Sequence, residues 1–239
     1  MISLEELRQR RPLLILGLMS GTSADGLDLA LVEIREGASP HFSARAFHTV
    51  PYPSRLREQI LAAGKPGTAR DLCRLNFVLG CFYAKEVARF LDGLGIARDQ
   101  VALIVSHGQT VWHIPRQSTL QIGEADVLRE RTGIAVLSSL RTRDVAAGGQ
   151  GAPLIPLVDF LLYRHLGEPV AALNLGGIAN VTVLAPEGVT AAFDTGPANC
   201  LIDEAAALVS GGKLHYDEGG RLGRAGKVDT ALLAALLRH

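Results

Sequence analysis

The first apolar block along the chain, Leu13-Leu14-Ile15-Leu16-Gly17-Leu18-Met19, reads as a buried strand. It stops at a turn of small polar residues, Ser20 to Gly26. The next run, Leu27 to Ile34, sets apolar residues against Asp28, Ala30 and Glu33, the pattern of a half-buried strand. The two predict a hairpin, with a third strand from Phe42 to Val50. Pro51 and Pro53 end that strand and open a helix near Ser54 to Ala63. From Thr68 to Leu94, Leu72, Leu75, Phe77, Val78, Leu79, Phe82, Val87 and Phe90 recur near helical spacing and predict a long amphipathic helix.

Beyond it, Val101 to Val105 reads as a buried strand that ends in Ser106-His107-Gly108-Gln109-Thr110. A short strand at Leu120 to Ile122, a helix at Glu124 to Arg131 and a strand at Ile134 to Leu137 precede a glycine-rich loop, Asp144 to Gly151. Pro153 sits well in the first turn of a helix reaching His165. Strands at Val170 to Leu175, Val181 to Leu184 and Val189 to Phe193 follow, then a helix from Ala198 to Val209. The chain closes on an apolar helix, Leu232 to Leu237. Hairpins alternating with helices predict an α/β protein with a mixed sheet. The hairpin pattern restarts after residue 170, which predicts a first domain over 1–167 and a second over 168–239.

Composition narrows the function classes. The 239 residues carry Lys+Arg 24 against Asp+Glu 24, 48% apolar and 20% charged residues. Those figures are globular and exclude a disordered or coiled-coil chain. Zero net charge argues against a dedicated nucleic-acid or anionic-membrane binder. The run from Pro12 to Met19 is too short to span a bilayer, so a cytoplasmic protein is expected. Cys73, Cys81 and Cys200 form no Cys-x-x-Cys pair and no nucleophile signature, and read as small core residues in a reducing compartment.

Several polar runs carry candidate chemistry. In Ser20 to Gly26, exposed backbone amides with Thr22 and Ser23 suit phosphate oxygens, and Asp25 and Asp28 suit Mg²⁺ held through water. The same residues also make an ordinary hairpin turn. No Gly-Lys-Ser/Thr follows, so this is not a Walker loop. His107 and His113 are six apart, which fits no usual metal pair and favours hydrogen-bonding histidines. Trp112 suits a sugar face, although a lone tryptophan is more often core. In Arg141 to Pro153, three glycines around Gln150 let a ligand approach the backbone, and the following helix N-terminus suits an anion. Asp144 stands among arginines and glycines with a salt bridge to Arg141 or Arg143 as its ordinary fate. Asn174 to Val181 and Asp194 to Asn199 are further small, glycine-bearing loops after strands.

Taken in order, Gly17 to Asp28, Ser106 to Thr110, Asp144 to Pro153, Asn174 to Asn180 and Asp194 to Asn199 resemble the signatures of the anhydro-N-acetylmuramic acid kinases. The resemblance implies an actin-like, sugar-kinase fold of two ribonuclease-H-like domains, here with the second domain incomplete. It implies a bacterial cytoplasmic, dimeric enzyme of peptidoglycan recycling. Such an enzyme uses ATP, Mg²⁺ and water to open 1,6-anhydro-N-acetylmuramic acid and yield N-acetylmuramic acid 6-phosphate. By the same resemblance Asp144 is the general base, favoured in its ionised form by the flanking arginines. Gly21, Thr22, Ser23, Ala24, Asp25, Gly26, Leu27 and Asp28 form the ATP segment. Gly176, Gly177, Asp194 and Gly196 line its other wall. His107, Gln109 and Gln121 are the expected sugar contacts, and Mg²⁺ arrives with ATP near Asp25 or Asp28. The members of that family are longer, so the alternative expectation is a remnant that binds sugar or a partner chain without turnover.

Overall fold

Alternation fixes the first hairpin. Leu27, Leu29 and Leu31 of β2 (Gly26–Arg35) are buried and their neighbours partly exposed, as period two demands. Glu33 falls on the same buried face; its charge is met by Arg35 and Arg45, the latter at 3.1 Å. β1 (Leu13–Ser20) pairs antiparallel with β2, and β2 with β3 (His41–Pro51). The computed structural model describes residues 12–35 and 41–238.

After β3 come α1 (Ser54–Ala63) and the 26-residue α2 (Ala69–Leu94). Thr68 caps α2 by accepting the Asp71 amide, and Gly95 ends it at φ 66°. Leu75, Leu79, Tyr83, Val87 and Leu91 form its buried stripe, whereas Phe77 and Val78 face outward. β4 (Leu103–Ile114) runs parallel to β1, β5 (Ser118–Ile122) turns back antiparallel, and β6 (Val136–Leu137) joins the other edge of β4 in parallel. The order is β3-β2-β1-β4-β5 with β6 beside β4. α3 (Ala125–Thr132) packs on α2, and α4 (Leu140–Ala146) against β5.

A second unit begins at Pro153. It holds α5 (Ile155–Tyr163), a meander of β7 (Val170–Leu175), β8 (Ile178–Ala185) and β9 (Gly188–Pro197), then α6 (Asn199–Val209), α7 (Arg221–Ala225) and α8 (Thr230–Leu236). The division falls before α5, earlier than the expected residue 168, because α5 packs on β8 and β9. Pro156, one residue into α5, takes the first-turn place expected of Pro153. Ala179, Leu184 and Ala206 are the buried apolar residues described in this unit, while Leu173, Leu175, Phe193, Leu208 and Val209 are more than half exposed. The expected α/β class is observed in both units.

Three local readings change. The Ser106–Thr110 run lies inside β4, not past its end, because Gly108 at φ 73° supports a bulge and the strand continues. Asp144 is on α4, not in a loop. Cys73 and Cys200 are exposed and Cys81 half-buried. On α2, positions 73 and 81 lie off the 75–79–83 stripe, so these thiols are not core.

Candidate active site

The hairpin turn is built on a buried polar chain. Ser20, 2% exposed, donates from Oγ to Oε1 of Gln109 at 2.5 Å. Tyr52 donates its hydroxyl to Ser20 Oγ at 2.9 Å, and the Tyr83 hydroxyl lies 3.2 Å behind it. Gln109 Nε2 donates to the Gly21 carbonyl at 3.1 Å. The turn is thus gripped from below by residues of β1, β4, α2 and the strand-to-helix corner at Tyr52. Burial raises both tyrosine pKa values, that of Tyr83 well above the ordinary, so both stay protonated donors.

Above this chain, Thr22, Ser23 and Asp25 are exposed, and the amides of Thr22 and Ser23 make no backbone hydrogen bond among the described residues. Ala24 sits at φ 53° and is fully buried. Arg57 pairs with Asp25 at 3.1 Å, and Thr49 donates to Asp28 at 2.6 Å. Among the described residues no three His, Cys, Asp or Glu side chains cluster as a metal site.

A second element is a polar cavity of about 140 Å³ in the same unit, lined in part by Asn76, Ser106, Gln121, Glu124, Ser139 and Thr142. Residues 76, 80 and 83 share one face of α2; Asn76 lines the cavity, and Gly80 and Tyr83 pack against Glu124 and Gly123 of its wall. Asn76 accepts the Gly123 amide at 2.7 Å and donates to Glu124 at 2.8 Å. A Cβ on Gly80 would lie 2.7 Å from the Glu124 carbonyl, and one on Gly123 2.6 Å from the Tyr83 ring. Two buried polar atoms at the cavity, Ser106 Oγ and Gln121 Oε1, have no hydrogen-bond partner among the described residues. Such orphans cost free energy unless a ligand or water satisfies them. Ser139 sits at φ 60°; of the three described non-glycine residues at positive φ, it and Ala24 both lie at these features.

Asp144 on α4 is connected to the cavity wall through Gly151, Arg141 and His107, the last of which lines the cavity. Its Oδ2 accepts the Gly151 amide at 2.7 Å, and a Cβ on Gly149 would lie 2.2 Å from that oxygen. Neither Arg141 nor Arg143 pairs with it among the described residues. Arg141 instead donates from Nε to His107 Nε2 at 2.7 Å and from Nη1 to the Gly151 carbonyl at 2.8 Å. His107 Nδ1 lies 2.8 Å from the Gly108 carbonyl. That assignment makes His107 a neutral Nδ1–H tautomer, and burial, aided by the Arg141 charge, lowers its pKa.

Of the three expected sugar contacts, then, Gln121 offers free hydrogen-bonding capacity to the cavity. Both ring nitrogens of His107 are engaged within the protein, and Gln109 supports the hairpin turn. His113 bonds Thr119 at 3.1 Å and packs on Gly151. Trp112 is more than half exposed and is not a core residue. In the second unit, Asn174, Asn180 and Asp194 stand in register across β7, β8 and β9. Asp194 and Gly196 thus belong to the end of a strand, whose pairing with β8 persists to Pro197. The Gly176 and Gly177 carbonyls accept the amides of Asn199, Ala198 and Cys200. Asn76, Tyr52 and Tyr83 escape a reading of the sequence, which has Ser20 only as the start of the turn; a polar residue at 76 on the 76–80–83 face is the available signal.

The motif order agrees with the comparisons. A model of the anhydro-N-acetylmuramic acid kinase family matches residues 13–239. The chain belongs to that family. The anhydro-N-acetylmuramic acid kinase of Caldanaerobacter subterraneus is 44% identical over 241 residues, covering 94% of this chain and 61% of its own length. That of Streptomyces coelicolor is 44% identical over 230 residues, covering 93% and 58%. That of Gloeobacter violaceus is 44% identical, covering 91% and 60%. The chain therefore spans about three-fifths of the curated relatives it matches. No helix among the described residues is long and apolar enough to cross a membrane.

Proposed function

We propose that this chain carries the sugar-opening machinery of an ATP-dependent kinase of actin-like, two-domain build. Its substrate is 1,6-anhydro-N-acetylmuramic acid, and its products are N-acetylmuramic acid 6-phosphate and ADP. The observation that carries the reading is Asp144. One carboxylate oxygen is held by the Gly151 amide, the other has no hydrogen-bond partner among the described residues, and hydrogen bonds through Gly151 and Arg141 connect it to His107 in the wall of a polar cavity that holds the orphaned Ser106 Oγ and Gln121 Oε1.

The step balances as follows. Asp144 takes a proton from water as the water oxygen bonds to the anomeric carbon, and the bond from that carbon to the bridging oxygen breaks. The freed oxygen attacks the γ-phosphorus, and the bond to the β-phosphate bridge breaks to release ADP; the proton passes from Asp144 to solvent. This joins an inverting glycosidase step to in-line phosphoryl transfer. Gln121 and Ser106 face the sugar, and the Gly21–Asp28 turn faces the phosphates with its exposed amides and hydroxyls. Gly176, Gly177, Asp194 and Gly196 belong to the nucleotide side. Mg²⁺, when bound, neutralises phosphate charge, and Asp25 and Asp28 hold its waters. A cytoplasmic homodimer active in cell-wall recycling is the setting that the family implies.

The test is ADP release with Mg-ATP, with and without the anhydro sugar, in the wild type and in Asp144→Asn. Sugar-dependent release that falls about a hundred- to ten-thousand-fold in the variant is expected. Full activity in Asp144→Asn removes Asp144 as the base. Sugar binding without release in the wild type assigns the chain to binding alone.

A further inference from the structure

We infer that Arg141 and His107 form a clamp that positions the Asp144 carboxylate; His107 also lines the cavity, but both its ring nitrogens are engaged within the protein. The inference deepens the reading of Asp144 as the base and rests on it.

Consider what holds Asp144. Among the described residues its carboxylate has one hydrogen bond, from Gly151, a residue at φ 77° with no side chain to anchor it. Glycine is the most freely rotating residue, so its amide direction must be set from outside. Two contacts do so. A Cβ at 151 would meet Val145 Cγ2 at 2.7 Å and His113 Cε1 at 3.0 Å, so the glycine is packed from that side. Its carbonyl accepts Arg141 Nη1 at 2.8 Å. Arg141 is one turn before Asp144 on α4, close enough to grip the far side of the loop that Asp144 also holds. A guanidinium donates in a fixed planar fork, so fixing one nitrogen fixes the other. The nitrogen that fixes it is Nε, bonded to His107 Nε2.

His107 is suited to this and to little else. Its Nδ1–H is taken by the Gly108 carbonyl, which leaves Nε2 a pure acceptor. Gly108 in turn sits at the β4 bulge, locked against the Ile122 carbonyl, where a Cβ would come to 2.8 Å. The line of force runs from the sheet through His107 and Arg141 to Gly151, and from its amide to Asp144. Arg141 is half-buried, and burial lowers its pKa, as expected of a cation bonded to neutral groups. An arginine free to bind a phosphate would not spend two edges of its fork on an imidazole and a peptide carbonyl.

The experiment compares the wild-type chain with Arg141→Ala, Arg141→Lys, His107→Ala and the double variant Arg141→Ala/His107→Ala. Two readouts are taken: hydrogen exchange of the Gly151 amide, and steady-state ADP release with the anhydro sugar. Gly151 exchange should quicken about tenfold or more in Arg141→Ala, with β1 and β4 amides unchanged. Arg141→Lys, which keeps the charge and not the fork, should quicken it as well and guards against a misfolded alanine variant. His107→Ala should show a smaller effect. The double variant should be no worse than Arg141→Ala, since His107 acts through Arg141. In turnover, kcat should fall about ten- to a hundredfold while KM for sugar and for ATP stay within about twofold. Unchanged Gly151 exchange overturns the clamp, and so do additive effects in the double variant. A raised KM with kcat preserved makes Arg141 a substrate contact and overturns it too. If the wild type releases no ADP, the kinase reading fails, while the exchange result still decides the clamp.

Discussion

Gly149→Ala isolates the carboxylate from the loop that carries it. The backbone at 149 is not in the left-handed region, so alanine is conformationally admissible there. Its Cβ, however, would sit 2.2 Å from Asp144 Oδ2, 2.5 Å from Cγ and 2.6 Å from Oδ1, where ordinary contact begins at 3.4 Å. The carboxylate must retreat by about 1 Å, and a displacement of that size at a reacting group costs about a hundredfold in rate. Retreat also strains the bond from the Gly151 amide. A hydrogen bond to a charged group contributes about 1.5–3 kcal/mol, and the low end applies to this partly exposed loop.

The control is Gly148→Ala. Gly148 is at φ 91° with nothing within 4 Å of an added methyl, so alanine there strains the backbone by about 1–2 kcal/mol and leaves Asp144 in place. Both variants should unfold at slightly lower urea concentration. Gly149→Ala alone should lose about two orders of magnitude in sugar-dependent kcat with nucleotide and sugar KM preserved. If Gly149→Ala turns over within twofold of wild type while Asp144→Asn is inactive, the placement of the carboxylate against Gly149 does not matter to the chemistry, and the argument from geometry fails.

Other consequences can be measured separately. Tyr52→Phe leaves Ser20 Oγ without its donor and Tyr83 without its partner, so it should cost about 1–3 kcal/mol in denaturant unfolding; Tyr83→Phe, which removes the chain's last hydroxyl, should cost about 0.5–1.5 kcal/mol. The reverse order would show that the chain does not run in that direction. His107 has a lowered pKa in the fold, so its contribution to stability is present above about pH 6.5 and is lost as pH falls through the folded value. His107→Gln should flatten that acid limb, and an unchanged limb would assign it to other groups. Limited proteolysis should cut the second unit first, around Arg221 to Lys227, because few of its apolar residues are buried; initial cleavage within α2 would contradict this.

How much of this is legible in the sequence depends on distance along the chain. Period two yields β1 and β2, and period 3.6 yields α2, because each follows from neighbours a few residues apart. Polarity alone sets Glu33 with Asp28 and Ala30, but strict alternation puts it with Leu27, Leu29 and Leu31 on the buried face, as the fold shows. Glycine misleads where it is taken for a break: Gly108 lets β4 bulge and continue, and the glycines after Asp144 suggest a loop although Leu140 to Ala146 carries no helix breaker. The chain from Gln109 through Ser20 and Tyr52 to Tyr83 joins residues up to 89 positions apart. No spacing rule reaches that far, and only the folded sheet brings them together.

The glycine-rich run after Asp144 makes the same point about site chemistry. On composition it suits a ligand approaching bare backbone. In the fold, two of its glycines face inward instead: Gly149 toward the Asp144 carboxylate, Gly151 toward Val145 and His113. A loop selected only for close approach of a phosphate would keep its glycine faces open to the ligand. These are spent on seating one carboxylate and on aiming one amide at it. On the proposed reading the glycines support the base, and the residues left to meet the sugar are the polar ones of the cavity, Ser106 and Gln121. Substituting Gln121→Glu should test that division, since a carboxylate there keeps the acceptor that Oε1 offers but adds charge. Sugar KM should rise by about tenfold or more, with Gly151 exchange unaltered. A kcat effect with unchanged KM would place Gln121 with the clamp and not with the ligand.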